Sequence, residues 1–233
     1  MKILKNILIG LAATISLTSV AYAGSFGLGV TGSYTKIDAS GSETSKAAGT
    51  ETESNQSISV DNDAFIGKLY VEYSFDDASW GSVGNGITFG ASYTPGKADV
   101  SDKVKTRTDV ADADAGTTDN RTSTAQAEIE NYMNYYIELP LYKSIYVKAG
   151  MAQVDVNTLE TSTLAAAGKY GNKTLDGTNL GIGFKGVTGS NIVWKLAYEA
   201  TDFDTLNLTS TTGDKINADL DTSEVNLSIG YRF

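Results

Sequence analysis

The chain ends with E-V-N-L-S-I-G-Y-R-F, residues 224 to 233, in which apolar residues alternate with polar or small ones. One phase contains Val225, Leu227, Ile229, Tyr231 and Phe233. Because successive side chains of a strand point to opposite faces, the pattern predicts a β-strand with one apolar and one polar face. In a soluble sandwich the apolar face would meet a core, whereas in a membrane barrel it would meet lipid.

Seven earlier stretches alternate in the same way, and no convincing helical stripe follows residue 23. Their apolar phases are, in chain order, Phe26, Leu28, Val30 and Tyr34; Phe65, Leu69, Val71, Tyr73 and Phe75; Ile87, Phe89, Ala91 and Tyr93; Ile129, Met133, Tyr135, Ile137 and Leu139; Ile145, Val147, Ala149 and Met151; Leu180, Ile182 and Phe184; Trp194, Leu196, Tyr198 and Ala200.

Two irregularities interrupt the alternation. Asn131 falls in an apolar phase, and Val154 and Val156 fall in a polar one, which predicts a bulge near Gln153 or the end of the membrane-spanning segment.

The connections between these strands alternate in length, which favours a membrane barrel over a soluble sandwich. The long polar connections are residues 38–62, 96–125, 157–178 and 204–222, and the short ones are 76–86, 140–144 and 188–191. Short periplasmic turns and long external loops are typical of outer-membrane barrels. The sequence therefore predicts an all-β, antiparallel up-and-down transmembrane barrel of eight strands. Ten strands are the alternative, although neither of the first two long connections contains another membrane-length hairpin.

The first 23 residues have the features of a secretory signal peptide. Lys2 and Lys5 precede a short apolar run that ends at Ala21-Tyr-Ala23. A charged start, an apolar middle and an Ala-x-Ala site predict cleavage after Ala23. We therefore expect a signal peptide at 1–23 and one barrel domain at 24–233.

The chain resembles the small outer-membrane β-barrels typified by OmpX and the membrane domain of OmpA. The resemblance rests on the signal peptide, the asymmetry of the loops and the final strand. In that family, the last strand ends in Phe with apolar residues at alternate positions, and the barrel-assembly machinery is thought to recognise it. The resemblance therefore implies an assembly signal, formed here by Val225, Leu227, Ile229, Tyr231 and Phe233. It also implies a location in the outer membrane of a Gram-negative bacterium, in contact with its lipid and lipopolysaccharide.

The composition argues against most enzymatic chemistry. The chain contains no histidine and no cysteine, which excludes Ser-His-Asp and Cys-His catalysis and zinc or haem sites that use these ligands. The net charge of −10 argues against nucleic-acid binding, because phosphate contacts need Lys and Arg. We expect a protein that is not an enzyme and has no cofactor.

The polar phases carry charges that would lie inside the barrel. An eight-stranded barrel is only wide enough to be filled by side chains, and charges enclosed there must pair. We therefore predict a network that plugs the lumen, with a gated ion path as the alternative. Its predicted members are Lys68, Glu72, Glu128, Glu130, Glu138, Lys148, Lys185, Lys195, Glu199, Glu224 and Arg232. Glu138 and Lys148 are expected to form one of its bridges.

Acidic residues also concentrate in the first and last long connections, which a closed barrel would bring together. Calcium or magnesium could bind loosely there, since both prefer oxygen ligands. Asp112, Asp114 and Asp119 faintly resemble a calcium loop but lack its later Glu. A solvated acidic surface is the simpler interpretation.

Three functions fit these features. The first is a structural or surface-exposed barrel with a plugged lumen, the second is a narrow porin-like channel for small solutes, and the third is an adhesin or phage receptor. The last would need an external host or phage partner that the sequence does not identify.

Overall fold

A computed structural model describes residues 24–44, 55–75, 86–101, 105–110, 120–162 and 169–233. These residues form eleven strands: β1 (Gly24–Thr44), β2 (Asn55–Phe75), β3 (Thr88–Tyr93), β4 (Lys97–Asp99), β5 (Lys105–Val110), β6 (Asn120–Tyr142), β7 (Ile145–Ser162), β8 (Lys173–Val187), β9 (Ile192–Phe203), β10 (Leu206–Thr209) and β11 (Lys215–Arg232). No helix with the length and hydropathy of a membrane span occurs among them. The predicted signal peptide lies outside the described residues.

The strands close into a ring of eight. Neighbours pair antiparallel in the order β1, β2, β3, β6, β7, β8, β9 and β11, and β11 returns to pair with β1 from Gly27↔Arg232 to Thr44↔Lys215. The short strands β4 and β5 pair with β6 beyond the end of β3, and β10 pairs with β11 beyond the end of β9. The eight-stranded, antiparallel up-and-down barrel predicted from the sequence is thus confirmed.

Much of the sequence predicted as long loops is strand. β1 and β2 remain paired up to Thr44↔Asn55, well into the connection expected at 38–62. The connection expected at 96–125 contains β4, β5 and the start of β6, and β7, β8 and β11 also extend beyond their predicted ends. These extensions are rich in Ser, Thr, Asp and Asn on their outer face. Their backbone ladder continues in water, so the outward phase need not be apolar, while residues such as Leu175 and Leu220 keep the inner face apolar.

The two faces of the ring differ as the alternation predicted. Large apolar side chains cover the outside, among them Leu69, Ile182, Leu196 and Leu227, each about half exposed or more. The opposite phase is polar and buried. An apolar outer band around a polar interior is the architecture of outer-membrane barrels.

The first irregularity is a β-bulge on β6. Asn131 has a φ of 55°, and the β6–β7 register shifts between Glu130 and Met133. The bulge expected near Gln153 is therefore wrong, because the extra residue lies on the partner strand. The other alternative, that the membrane-spanning part of β7 ends there, agrees with the inward Val154 and Val156. The bulge reverses the facing of β6, so Ile129, which was predicted to face lipid, is buried inside the barrel.

The second irregularity leads to an apolar core inside the barrel. Val154 and Val156 do point inward, opposite the bulge, and they are almost fully buried. They pack in a cluster whose other members are Ile37, Val100, Ile129, Ala152, Leu175, Phe203, Leu206 and Leu220. This apolar core fills the lumen on the side of the strand extensions, above the charged residues.

Leu227→Arg should oppose insertion into lipid. Leu227 is 65% exposed in the middle of the outer face, where Arg costs about 2–4 kcal/mol. Asp219→Arg, on the same strand beyond the apolar band, is the control and should cost no more than about 1 kcal/mol. Urea titrations of folding into lipid vesicles, followed by heat-dependent gel mobility, measure the difference. Equal stability of the two variants would contradict the assigned faces.

Asn131→Val should destabilise the barrel more than Asn131→Gly. A left-handed backbone conformation costs a residue with a β-carbon about 1–2 kcal/mol, and branching at Cβ makes it worse, whereas glycine adopts it freely. Both variants remove the side-chain contacts of Asn131 with Asp155 and Tyr93. The difference between their free energies of unfolding therefore reports the cost of the left-handed backbone conformation. Equilibrium unfolding measures it, and equal losses would argue against the bulge.

Candidate functional site

The middle of the lumen contains a balanced set of buried charges. Four lysines and four glutamates are each less than 10% exposed: Lys68, Lys148, Lys185, Lys195, Glu72, Glu138, Glu199 and Glu224. They come from β2, β6, β7, β8, β9 and β11. Because alternate residues of every strand face inward, the ring brings these side chains together although they are far apart in sequence.

Glu138 lies at the centre of the larger group of ion pairs. Its two carboxylate oxygens accept from Lys195 Nζ at 2.7 Å and Lys185 Nζ at 3.2 Å. Lys195 also binds Glu72, and Tyr136 Oη donates to Glu72 at 2.7 Å. No carboxylate of this group depends on a single donor.

Two further pairs complete the network. Lys148 Nζ lies 2.8 Å from Glu199 Oε2, and Lys68 binds Glu224. Glu138 and Lys148 are register partners on β6 and β7. The bridge expected between them is not the one formed, because Lys148 reaches over Gly181 of β8, the register partner of both residues, to Glu199 on β9.

Tyrosines pack among the charges. Lys148 Nζ lies 3.9 Å from the centre of the Tyr136 ring, and Lys195 lies 5.2 Å from that of Tyr70. Inward glycines make room for these rings: a Cβ at Gly29 would lie 2.6 Å from Tyr70, and one at Gly183 would lie 2.8 Å from Tyr146. The glycines and tyrosines therefore fill the lumen together, rather than lining an open pore.

The structure places two predicted members of the network outside the lumen. Glu128 and Glu130 lie beyond the Asn131 bulge, which turns them to the outer surface. There both approach Lys97 Nζ, at 2.6 Å and 3.4 Å. The hydrogen bond from Lys97 lowers the pKa of Glu128. Arg232 lies at the opposite end of the barrel, half-buried, and donates to Ser74 Oγ at 3.3 Å.

The residues of the predicted assembly signal lie on the outer face of β11 and at the end of the chain. Val225, Leu227, Ile229, Tyr231 and Phe233 are all exposed, and Phe233 N donates to Phe26 O at 2.8 Å. Their recognition by the barrel-assembly machinery stays a prediction.

An acidic row crosses the outer wall beyond the apolar band. Asp61, Asp38, Asp221 and Asp202 are successive register partners on β2, β1, β11 and β9. Burial and the neighbouring Asp202 raise the pKa of Asp221. The described residues contain no group of three or more acidic side chains placed to hold a metal ion. Asp112, Asp114 and Asp119 lie outside those residues, so bound calcium or magnesium stays a prediction.

A small polar cavity lies within the network. Its volume is about 30 Å³, and Lys68, Tyr70, Ser92, Asn226 and Ser228 are among the residues that line it. This is room for one or two waters. Tyr70 Oη and Asn226 Oδ1 are buried without a protein partner among the described residues, so both atoms are suited to bind water there.

The closed ring of eight strands and its apolar outer band identify the fold class. The chain has the fold of the small outer-membrane β-barrels. No protein-family model matches it, and no curated protein sequence matches it significantly. The outer-membrane location expected from the sequence agrees with the closed ring and its apolar outer band.

Several solved barrels are similar in fold. The outer membrane protease OmpT from Escherichia coli shares 7% identity over 93% of this chain and 99% of its own, with a TM-score of 0.45. The outer membrane protein OprG from Pseudomonas aeruginosa shares 10% identity over 91% and 97%, with a TM-score of 0.42. Ail of Yersinia pestis, solved with a heparin analogue, shares 12% identity over 90% and 97%, with a TM-score of 0.39. At these identities the likeness concerns the fold alone.

Glu138→Gln should destabilise the barrel strongly. It removes the negative charge between two buried lysines, and breaking a buried pair in this way costs about 3–5 kcal/mol. Glu128→Gln removes the same charge from an ion pair whose lysine is about half exposed, and should cost at most about 1 kcal/mol. Urea unfolding followed by tryptophan fluorescence compares them, and similar losses would show that the lumen charges are well solvated.

Proposed function

We propose that the protein is a structural, surface-exposed barrel of the outer membrane whose lumen is plugged by its own side chains. It is not an enzyme in this proposal. The observation that carries it is the filled interior, in which a charged layer and an apolar layer lie one above the other.

The charged layer supports a structural role because its charges are already neutralised. Each of the four buried glutamates has a lysine partner. A path for ions needs charges that can exchange partners with a passing ion, and burial makes each broken pair costly. The network therefore favours rigidity over conduction.

The apolar layer closes the lumen towards the strand extensions. Val154 and Ile37 have no exposed surface, and Leu175 has 2%. A closely packed apolar region of this kind excludes water. An ion moving along the barrel axis would have to lose its hydration inside this core.

Strand extensions and connections beyond the membrane would present the exposed surface. Tyr170 Oη, in the connection between β7 and β8, donates to Glu43 Oε1 on β1 at 2.8 Å. Thr158 Oγ1 donates to Tyr170 O at 3.1 Å. These contacts tie opposite walls together above the core, which supports a rigid external platform.

Current recordings across planar bilayers test the proposal. The refolded chain from residue 24 to residue 233 should give almost no conductance steps. A variant that empties both layers, with Lys148, Val154, Leu175, Glu199 and Phe203 replaced by Ala, keeps the charge balance and should conduct once its folding is verified. Steady unit conductance of the unaltered chain would overturn the plug and favour a narrow channel.

A further inference from the structure

The turn between β6 and β7 exposes more apolar surface than the other short turn that lies wholly within the described residues. Leu141 is 61% exposed and Tyr142 is 65% exposed, close to the tip of the hairpin. The turn between β8 and β9, at the same end of the barrel, is Thr-Gly-Ser-Asn at residues 188–191, and all four residues are exposed. The two turns therefore suit different surroundings, although they lie at the same end of the barrel.

A β-bulge brings these apolar residues to the tip. The β6–β7 register shifts between Pro140 and Tyr142, so Leu141 is the extra residue. Pro140 suits this position because it has no backbone N–H for the ladder. Tyr142 pairs with Ile145, and the chain reverses over the two residues between them, with a φ of 49° at Lys143. The hairpin consequently carries large apolar side chains up to the turn itself.

The apolar surface of the turn continues the lipid-facing band without a polar break. Leu139 precedes it on the outer face of β6 and is 38% exposed. On the other side, Ile145 pairs with Phe184 of β8, which is 50% exposed. The turn is thus an extension of the face that the barrel presents to hydrocarbon.

The strand register places the turn level with exposed aromatic residues at this end of the barrel. Partners followed round the ring from Gly27 lead back to β1 at Ile37, a shift of ten residues. Over eight strands this shift corresponds to a tilt of about 40°. With that tilt, Leu141 lies within about 3 Å of Phe75 and Phe233 along the barrel axis. Both phenylalanines are exposed, as in the aromatic girdle that marks a membrane interface.

Lys143 adds a positive charge at the tip. Its Nζ lies 5.0 Å from the centre of the Tyr142 ring. Tyrosine is favoured where hydrocarbon meets lipid headgroups. Lysine can lay its stem on apolar surface while its ammonium group reaches outward. An apolar patch edged by an aromatic ring and a cation matches acyl chains edged by anionic phosphate groups.

We propose that the β6–β7 turn is a lipid anchor, seated in the periplasmic leaflet of the outer membrane with Lys143 bound to phospholipid phosphate groups. A second copy of the chain fits the turn less well, because a stable protein contact buries about 1,200–2,000 Å², far more than one short turn offers. The β8–β9 turn stays in water. The anchor concerns the outer surface, so it goes beyond the plugged lumen.

Fluorescence quenching tests the anchor in the full chain from residue 24 to residue 233. The chain contains no cysteine, so Leu141→Cys carries a single nitrobenzoxadiazole label, and Ser190→Cys in the β8–β9 turn is the matched control. Both are refolded into vesicles of phosphatidylcholine and phosphatidylglycerol, and heat-dependent gel mobility verifies folding. Tyr142→Cys is a second reporter in case Leu141→Cys folds poorly.

The label at position 141 should be quenched at least threefold more by doxyl-labelled phosphatidylcholine than the label at position 190. Iodide, present on both sides of the membrane, should quench it at least threefold less. Equal quenching of the two labels by iodide would place the turn in water and overturn the anchor. A label at position 141 that neither quencher reaches would overturn it too, because protein would then cover the turn.

A charge reversal tests the contact with phosphate. In the labelled Leu141→Cys chain, Lys143→Glu should raise quenching by iodide at least twofold, because the carboxylate is repelled by the headgroups and lifts the turn out of the lipid. Ser190→Glu in the same chain adds a negative charge to the other turn and should leave the quenching unchanged. Equal effects of the two substitutions, or no effect of either, would contradict the role of Lys143. None of these results bears on the bilayer currents that test the plugged barrel.

Discussion

Every other feature of this protein depends on the pairing of its last strand with its first. In hydrocarbon, an unpaired backbone N–H or C=O costs several kcal/mol, so a membrane sheet must have no edge. β11 meets this requirement by pairing with β1 from Gly27↔Arg232 outward. Once the ring is closed at eight strands, its diameter is fixed, and only side chains fit inside.

The narrow interior then determines what the inward residues can be. Charged side chains are tolerated because lysines and glutamates from six strands neutralise one another, with tyrosines filling the space beside glycines. Further along the axis the same interior is apolar, with Val154 and Leu175 in its centre. The two layers differ because the first lies within the membrane-spanning part, whereas the second acts as the core of a small water-soluble extension above it.

Strand pairing is irregular at two places near the external end of the membrane-spanning part, and each irregularity changes the local structure of the wall. The Asn131 bulge changes the facing of β6, which moves Ile129 inward and Glu128 outward. The break at Pro95 and Gly96 leaves β2 without a ladder beside β4. Both deviations lie near the boundary between the membrane-spanning part and the extension, where the demand for a complete ladder relaxes because water can satisfy the backbone.

Alternation determined the class of fold, the number of ring strands and most of the outward set, with Ile129 as an exception, because the membrane and the lumen impose opposite polarity on successive residues. It also supplied the eight charges that the lumen contains. It could not determine where the strands end, because beyond the membrane the outer face of a strand such as β1 meets water, and the apolar residues lie on the inner face instead. Nor could it assign Glu128, Glu130 or the partner of Lys148. Those depend on a one-residue bulge and on strand registers that place Lys148 and Glu199 on either side of Gly181, and registers are fixed only when the strands pair.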